Sequence, residues 1–164
     1  MATPTNLPSS FSVGAVLTAA NMNDIRGAFR ILQVVTNTYS TAYSNATNTY
    51  TDVGVTADIT PQSTNSKILV VANINGAFKQ TNNTALDLEI RRASTTIYTA
   101  TANFNTGSVL TNVGSVTMVY LDSPATTAAR TYKVRGRSSA NLATVGAQLL
   151  SASDSSITLF EVSA

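Results

Sequence analysis

Along Thr131-Tyr-Lys-Val-Arg-Gly-Arg137, apolar and basic residues alternate. Tyr132 and Val134 take one phase; Lys133, Arg135 and Arg137 take the other. A period of two with one apolar phase predicts an antiparallel strand buried on one face. The same period runs through Val55–Thr60, where Val55, Ala57 and Ile59 alternate with Thr56, Asp58 and Thr60. It returns in Ala85–Arg92, with Leu86, Leu88 and Ile90 inward and Asp87, Glu89 and Arg91 outward. Further strands are expected at Arg30–Thr38, Thr49–Val53, Thr95–Thr101, Ser115–Asp122, Ala143–Leu150 and Ser156–Val162. Lys67–Asn75 is different. Its near-continuous run of Ile68, Leu69, Val70, Val71, Ala72 and Ile74 predicts a central strand buried on both faces. Pro61–Ser66 is a strong turn signal, and Ser40–Asn48, Gly76–Thr84 and Asn103–Gly114 read as loops. The connection Ser123–Ala129 contains Pro124 and is longer than a tight two-residue turn. Ser115–Asp122 and Thr131–Arg137 therefore need not be neighbours, and can belong to opposite sheets.

Only near the N-terminus does the period change. Met22, Ile25, Phe29 and Leu32 are spaced by three and four, which predicts one short helix with an apolar stripe. Thr18 suits its N-cap, and Asp24 sits near the positive end of its dipole. Gly27 weakens such a helix by about 1 kcal/mol relative to Ala, so it needs packing to persist. Residues 1–16 are rich in Pro, Ser and Thr, with sparse apolar anchors at Leu7, Phe11, Val13 and Val16. They read as an extended arm. The stripe would either cover the open end of its own β-domain or meet copies of itself around a symmetry axis. The expected architecture is all-β: an antiparallel β-sandwich or jelly roll of about eight to ten strands, with an N-terminal extended arm and one short helix. Residues 1–32 form the arm and helix, for assembly or anchoring, and residues 33–164 the sandwich. The candidate assembly residues are Leu7, Phe11, Val13, Met22, Ile25 and Phe29.

Composition sharpens this picture. Of 164 residues, 43% are hydrophobic but only 11% are charged, less than half the usual charged share. The surface must be polar through hydroxyls and amides, which suits a protein packed into an assembly, where isolated charges are expensive to desolvate. Unguarded sheet edges are expected to be buried between subunits. Ten basic side chains against eight carboxylates give a net charge of +2, too little to imply nucleic-acid binding. There is no Cys and no His. That removes thiolate chemistry, the commonest metal ligand and the commonest general base. No apolar run approaches the roughly 20 residues of a membrane-spanning helix. Met1–Ser10 lacks a basic segment followed by an apolar one, so synthesis in a cytoplasm is expected.

The chain carries no catalytic triad and no phosphate-cradling glycine loop. Asp87 and Glu89 are the nearest carboxylate pair, and a strand face balanced by Arg91 accounts for them better than glycoside hydrolysis does. No loop has calcium-ligand spacing. Neither an enzyme activity, a metal nor a cofactor is expected. Two surface features remain. The stripe of Lys133, Arg135 and Arg137, with Arg130 just before it, sets cations roughly 7 Å apart on one face. It suits an acidic protein surface or the phosphates of a glycolipid, unless Asp87 and Glu89 pair with it from a neighbouring strand. Tyr39, Tyr43 and Tyr50, set among Asn and Ser, suit adaptable recognition of a partner or a host glycan.

Two stretches carry a resemblance. Phe11-Ser-Val-Gly-Ala-Val-Leu-Thr-Ala-Ala-Asn-Met-Asn23 resembles the opening of many small structural proteins of tailed phages. The second runs through Thr51-Asp-Val-Gly-Val-Thr-Ala-Asp-Ile-Thr-Pro-Gln-Ser-Thr-Asn-Ser-Lys-Ile-Leu-Val70 and Ile90-Arg-Arg-Ala-Ser-Thr-Thr-Ile-Tyr98. It continues in Tyr120-Leu-Asp-Ser-Pro-Ala-Thr126 and Thr131-Tyr-Lys-Val134, and closes on Ser156-Ile-Thr-Leu-Phe-Glu-Val162. This succession is similar to the β-domain of virion surface proteins from phages, including phages of aquatic bacteria. The resemblance implies a non-enzymatic virion component, often trimeric, and supplies no catalytic residues. Within that class a capsid-decorating or cement protein, bound to the major capsid protein, is the first expectation. A tail-fibre or receptor-binding tip is the second, and a free carbohydrate-binding module the third.

Overall fold

In the computed structural model the described residues are Gly14, Val16, Thr18, Ala19 and residues 30–81, 83–102, 111–140, 143–148 and 153–163. Leu7, Phe11, Val13, Met22, Ile25 and Phe29 lie outside them, as does most of the expected helix. The ten strands are β1 (Ile31–Tyr39), β2 (Tyr43–Asn45), β3 (Thr51–Ile59), β4 (Lys67–Lys79) and β5 (Leu86–Arg92), then β6 (Thr95–Ala102), β7 (Thr111–Asp122), β8 (Arg130–Ser138), β9 (Val145–Ala147) and β10 (Ser155–Val162). They form two antiparallel sheets, the sandwich expected from the period of two.

The six-stranded sheet is centred on β4, with β7 along one edge. The other edge of β4 is shared end to end. β10 pairs with its first half and β9 with its last two residues; β1 then adds to β10, and β2 to β9. The four-stranded sheet has the order β3-β8-β5-β6. β7 and β8 thus lie in opposite sheets, and the proline-containing connection carries the chain between them.

The inner phases of both sheets meet in one core. Ile68, Val70, Ala72 and Ile74 of β4, with Ile157 and Leu159 of β10, face Leu88 and Ile90 of β5 and Tyr132 and Val134 of β8. Each large side chain buried here contributes about 1.5–3 kcal/mol. The two long sides of the sandwich are closed by side chains. On one side Gln33 and Asn37 of β1 donate from their amides to the carbonyls of Thr60 and Thr56, at 2.7 and 2.9 Å. On the other, the rings of Tyr98 on β6 and Tyr120 on β7 pack with centroids 5.7 Å apart. These contacts join β1 to β3 and β6 to β7 within the chain.

Several local expectations are corrected. The stretch Ser40–Asn48 is not only loop, because β2 lies inside it. Thr49–Val53 and Val55–Thr60 are one strand, interrupted by a bulge between Asp52 and Thr56. Gly54 sits in that bulge at φ +95°, and the Tyr39 ring occupies the place of its missing side chain. β4 runs on to Lys79, four residues past Asn75. Among the described residues of Ala143–Leu150, only Val145–Ala147 lie in a strand, β9. Leu32, the last residue of the expected helical stripe, is in β1. Most consequentially, β4 is not buried on both faces. Ile68, Val70, Ala72 and Ile74 are sealed, but Leu69, Val71 and Asn73 are only half-buried, because no layer of described residues lies on their side.

Candidate functional site: the two outer faces

The outer face of the four-stranded sheet carries the basic stripe. Register places Arg137 opposite Asp87, Arg135 opposite Glu89 and Lys133 opposite Arg91 on β5, and Arg135 opposite Asp52 on β3. The stripe is therefore met by carboxylates on both flanking strands. Arg137 Nε lies 3.1 Å from Asp87 Oδ2, and Arg135 Nη1 lies 3.1 Å from Glu89 Oε1. Asp52 accepts from Lys133 at 2.9 Å and faces Arg135 Nε at 3.1 Å. Thr96 on β6 donates to the other oxygen of Glu89 at 2.7 Å. Asp87 and Glu89 point outward as expected, but they are not solvated: the long arginine side chains roof them, leaving 7% and 4% of each residue exposed. Across this face four cations (Arg91, Lys133, Arg135, Arg137) stand against four carboxylates (Asp52, Asp58, Asp87, Glu89). Arg130 is on the same strand but in the phase of Tyr132, so it does not extend the stripe.

The three tyrosines do not form a surface group. Tyr43 is buried in the core, and its hydroxyl donates to the Gly136 carbonyl at 2.5 Å. Tyr39 fills the bulge at Gly54. Tyr50 lies under Arg137, whose guanidinium carbon is 4.6 Å from the ring centroid, and its carbonyl accepts from Arg135. Burial pushes the Tyr50 phenol above its ordinary range, against the pull of the Arg137 charge. Each tyrosine is thereby committed to its own chain, so the expected recognition surface does not assemble.

A polar clamp joins the two sheets at one end. Asp122, the last residue of β7, is 5% exposed. Its carboxylate accepts from Arg92 Nη1 at 2.8 and 2.7 Å and from the Tyr132 hydroxyl at 2.6 Å. Arg92 and Tyr132 are cross-strand partners on β5 and β8. Burial, and then the hydrogen bond to Asp122, push the Tyr132 phenol far above its ordinary value. A second buried carboxylate, Glu161, accepts from Gln33 Nε2 at 2.6 Å and from the Gln62 N–H at 2.7 Å. It ties β10 to β1 and to the turn after β3. Among the described residues no three carboxylates gather into a metal-ion site. A depression of about 220 Å³ over the bulge, lined by Asp52, Thr56, Thr131 and Lys133 among others, is below the range of small-molecule pockets.

No protein-family model and no curated protein matches the chain.

The outer face of the six-stranded sheet, which the strand periodicity alone does not single out, is the opposite of the charged one. Register aligns Val34, Phe160, Leu69 and Leu121 in one row across β1, β10, β4 and β7. The next row is Thr36, Thr158, Val71 and Val119, and the third Thr38, Ser156, Asn73 and Thr117. None of the three rows contains a charge. Apart from Val16, every large hydrophobic exposed among the described residues belongs to this face: Ile31 at 57%, Val34 at 53%, Val119 at 53% and Leu121 at 48%. The first row is wholly apolar and Val71 and Val119 extend it into the second, which makes these six residues the candidate interaction surface. The signal is present in the outer phases of the strands, but it becomes a patch only once the strand order is known.

Proposed function

We propose that the chain is a non-enzymatic structural protein of a tailed-phage virion, made in the host cytoplasm, which decorates the capsid as a homotrimer bound to the major capsid protein. The observation that carries this reading is the pairing of an outer face with three successive rows free of charge and one whose cationic stripe is met by carboxylates of its own chain. Such a molecule is equipped to be packed against other protein. The resemblance of the motifs between Phe11 and Val162, in their order, to those of phage virion proteins supports the same reading, as does a surface that relies on Thr, Ser and Asn. Weak contacts repeated over a lattice add through multivalency, so no single deep site is needed.

Copy number per particle tests it. Quantitative mass spectrometry of purified virions should find this chain in hundreds of copies, at a fixed ratio to the major capsid protein. A handful of copies at the tail would favour a receptor-binding tip, and absence from virions would end the reading. Deleting residues 1–16 should leave a folded β-domain that no longer joins particles.

A further inference from the structure

We infer that Asn75-Gly76 is a self-modification site, where the folded chain converts its own asparagine to aspartate or isoaspartate with water as the co-reactant. The inference concerns the chemistry of the chain itself and stands apart from the virion reading.

Asn75-Gly76 is the one Asn-Gly pair in the sequence. The attacking atom is the Gly76 nitrogen, and glycine has no Cβ to crowd its approach. Register leaves Gly76 outside the ladders on both edges of β4. β7 pairs with Ile74 and then with Ala77, β10 stops at Asn73, and β9 begins at Phe78. Gly76 sits in this irregularity at φ +60°. The electrophile is prepared as well. Asn75 Oδ1 accepts from the Ser115 hydroxyl, and from Asn73 Nδ2 at 3.3 Å. Donors on that oxygen stabilise the negative charge it takes up when the carbonyl is attacked. Both residues are half-buried rather than sealed, so water and solvent base reach them.

The step balances without a redox partner. Gly76 gives its N–H proton to solvent base, and its nitrogen bonds to Asn75 Cγ, closing a succinimide ring. The Cγ–Nδ2 bond breaks, and Nδ2 takes a proton from water and leaves as ammonia. Water then opens the ring. Attack at Cγ gives aspartate; attack at the main-chain carbonyl gives isoaspartate, with the chain running through the former side chain. Nothing is oxidised or reduced.

The position makes the change consequential. Asn75 Nδ2 donates to the Asp154 carbonyl, the Asn75 N–H donates to Ser155 Oγ at 2.9 Å, and the Asn75 carbonyl accepts from the Gln148 N–H at 2.9 Å. Conversion sets a carboxylate oxygen against the Asp154 carbonyl, two acceptors with no proton between them. It also writes a negative charge into the outward phase of β4, at the next outward position after the charge-free row of Asn73.

The test incubates the folded full-length chain in mildly alkaline buffer made with isotopically labelled water, and maps heavy-oxygen uptake by mass spectrometry. Position 75 should take up label ahead of Asn65, which lies exposed in a turn before Ser66. Ser115→Ala should slow uptake at position 75 by about tenfold, less than the loss of a buried oxyanion donor in an enzyme, and leave Asn65 unchanged. Ser115→Thr keeps the hydroxyl and should keep the wild-type rate. In urea all three chains should convert alike. Uptake at position 75 that is absent, or no faster than at Asn65, overturns the inference. So does a Ser115→Ala rate equal to or above wild type, a Ser115→Thr rate as low as that of Ser115→Ala, or a Ser115→Ala deficit that persists in urea.

Discussion

On β8 three of the four outward residues are cations: Lys133, Arg135 and Arg137. On β7, which precedes it in the chain and lies in the other sheet, the outward positions are Ser115, Thr117, Val119 and Leu121. The two strands build opposite faces of one sandwich, and their chemistry is answered differently. The cations find Asp87, Glu89 and Asp52 on adjacent strands, at 2.9–3.1 Å. Val119 and Leu121 find only Val71 and Leu69 beside them in the sheet, and stay about half exposed. Charge that is satisfied within the chain is architecture. Apolar surface left unsatisfied within the chain is what remains for another molecule.

Adjacent residues give the sharpest form of this contrast. Leu121 points out and Asp122 points in. The largest loss of stability is expected from Asp122→Ala. It leaves Arg92 without its carboxylate and strands the buried Tyr132 hydroxyl, at a cost of about 3–5 kcal/mol. Urea unfolding would read this as a lower midpoint at unchanged slope. A loss below about 1 kcal/mol would mean that water replaces the clamp.

Tyr132→Phe removes one arm of the same clamp. It should cost about 1.5–3 kcal/mol at neutral pH, the range for a hydrogen bond to a charged group. It should also change the alkaline limb of stability. Because the folded phenol is held protonated well above its unfolded pKa of about 10, its contribution is complete below pH 10 and declines as pH rises further. The unfolded chain then releases a proton that the folded one keeps. Wild type should lose stability above pH 10 more steeply than the variant, and parallel curves would place the titration elsewhere.

Arg135→Ala tests the charged face near its centre. Glu89 would keep Thr96 and the more distant Arg91, so a loss of about 2–3 kcal/mol is expected, less than for a fully isolated buried charge. Glu89→Gln combined with Arg135→Met should recover most of it, since removing both charges spares the desolvation that one alone suffers. If the double variant is no better than the single one, the ladder stabilises through more than paired charge.

How legible is this molecule in its sequence? The period of two yields the sandwich and the inward set of β3, β5 and β8 correctly, because alternation depends only on neighbours along the chain. It also assigns Lys133, Arg135 and Arg137 to one side. It cannot say that Asp52 and Glu89 flank Arg135, because strand order is set by contacts far apart in sequence, although pairing with Asp87 and Glu89 is among the alternatives it leaves open. The apolar face is misread for a related reason. In Lys67–Asn75 the outward Leu69 and Val71 look the same whether a strand is covered by its own domain or by another copy. The tyrosines mislead because Tyr43 has the polar neighbours of a surface residue, while its hydroxyl has a buried partner in Gly136, 93 positions away. The conspicuous residues bond within the chain, and the candidate interface lies in unremarkable valines and leucines.

The smallest effect is expected at Lys133, and it separates position on the stripe from burial of the partner. Lys133 and Arg135 are two residues apart on β8, with side chains 30% and 21% exposed, and both approach Asp52. They differ in what else they hold. Arg135 covers Glu89, whose side chain is 6% exposed. Lys133 has only Asp52, which is 54% exposed and can return to water when the pair is broken. Lys133→Ala should therefore cost no more than about 0.5–1 kcal/mol. That difference should vanish near 1 M salt, where screening acts over about 3 Å, while the Arg135→Ala deficit should largely persist because Glu89 is shielded from solvent ions. Equal losses at the two positions, or equal salt sensitivity, would mean that the stripe behaves as one exposed electrostatic surface, open to an acidic partner.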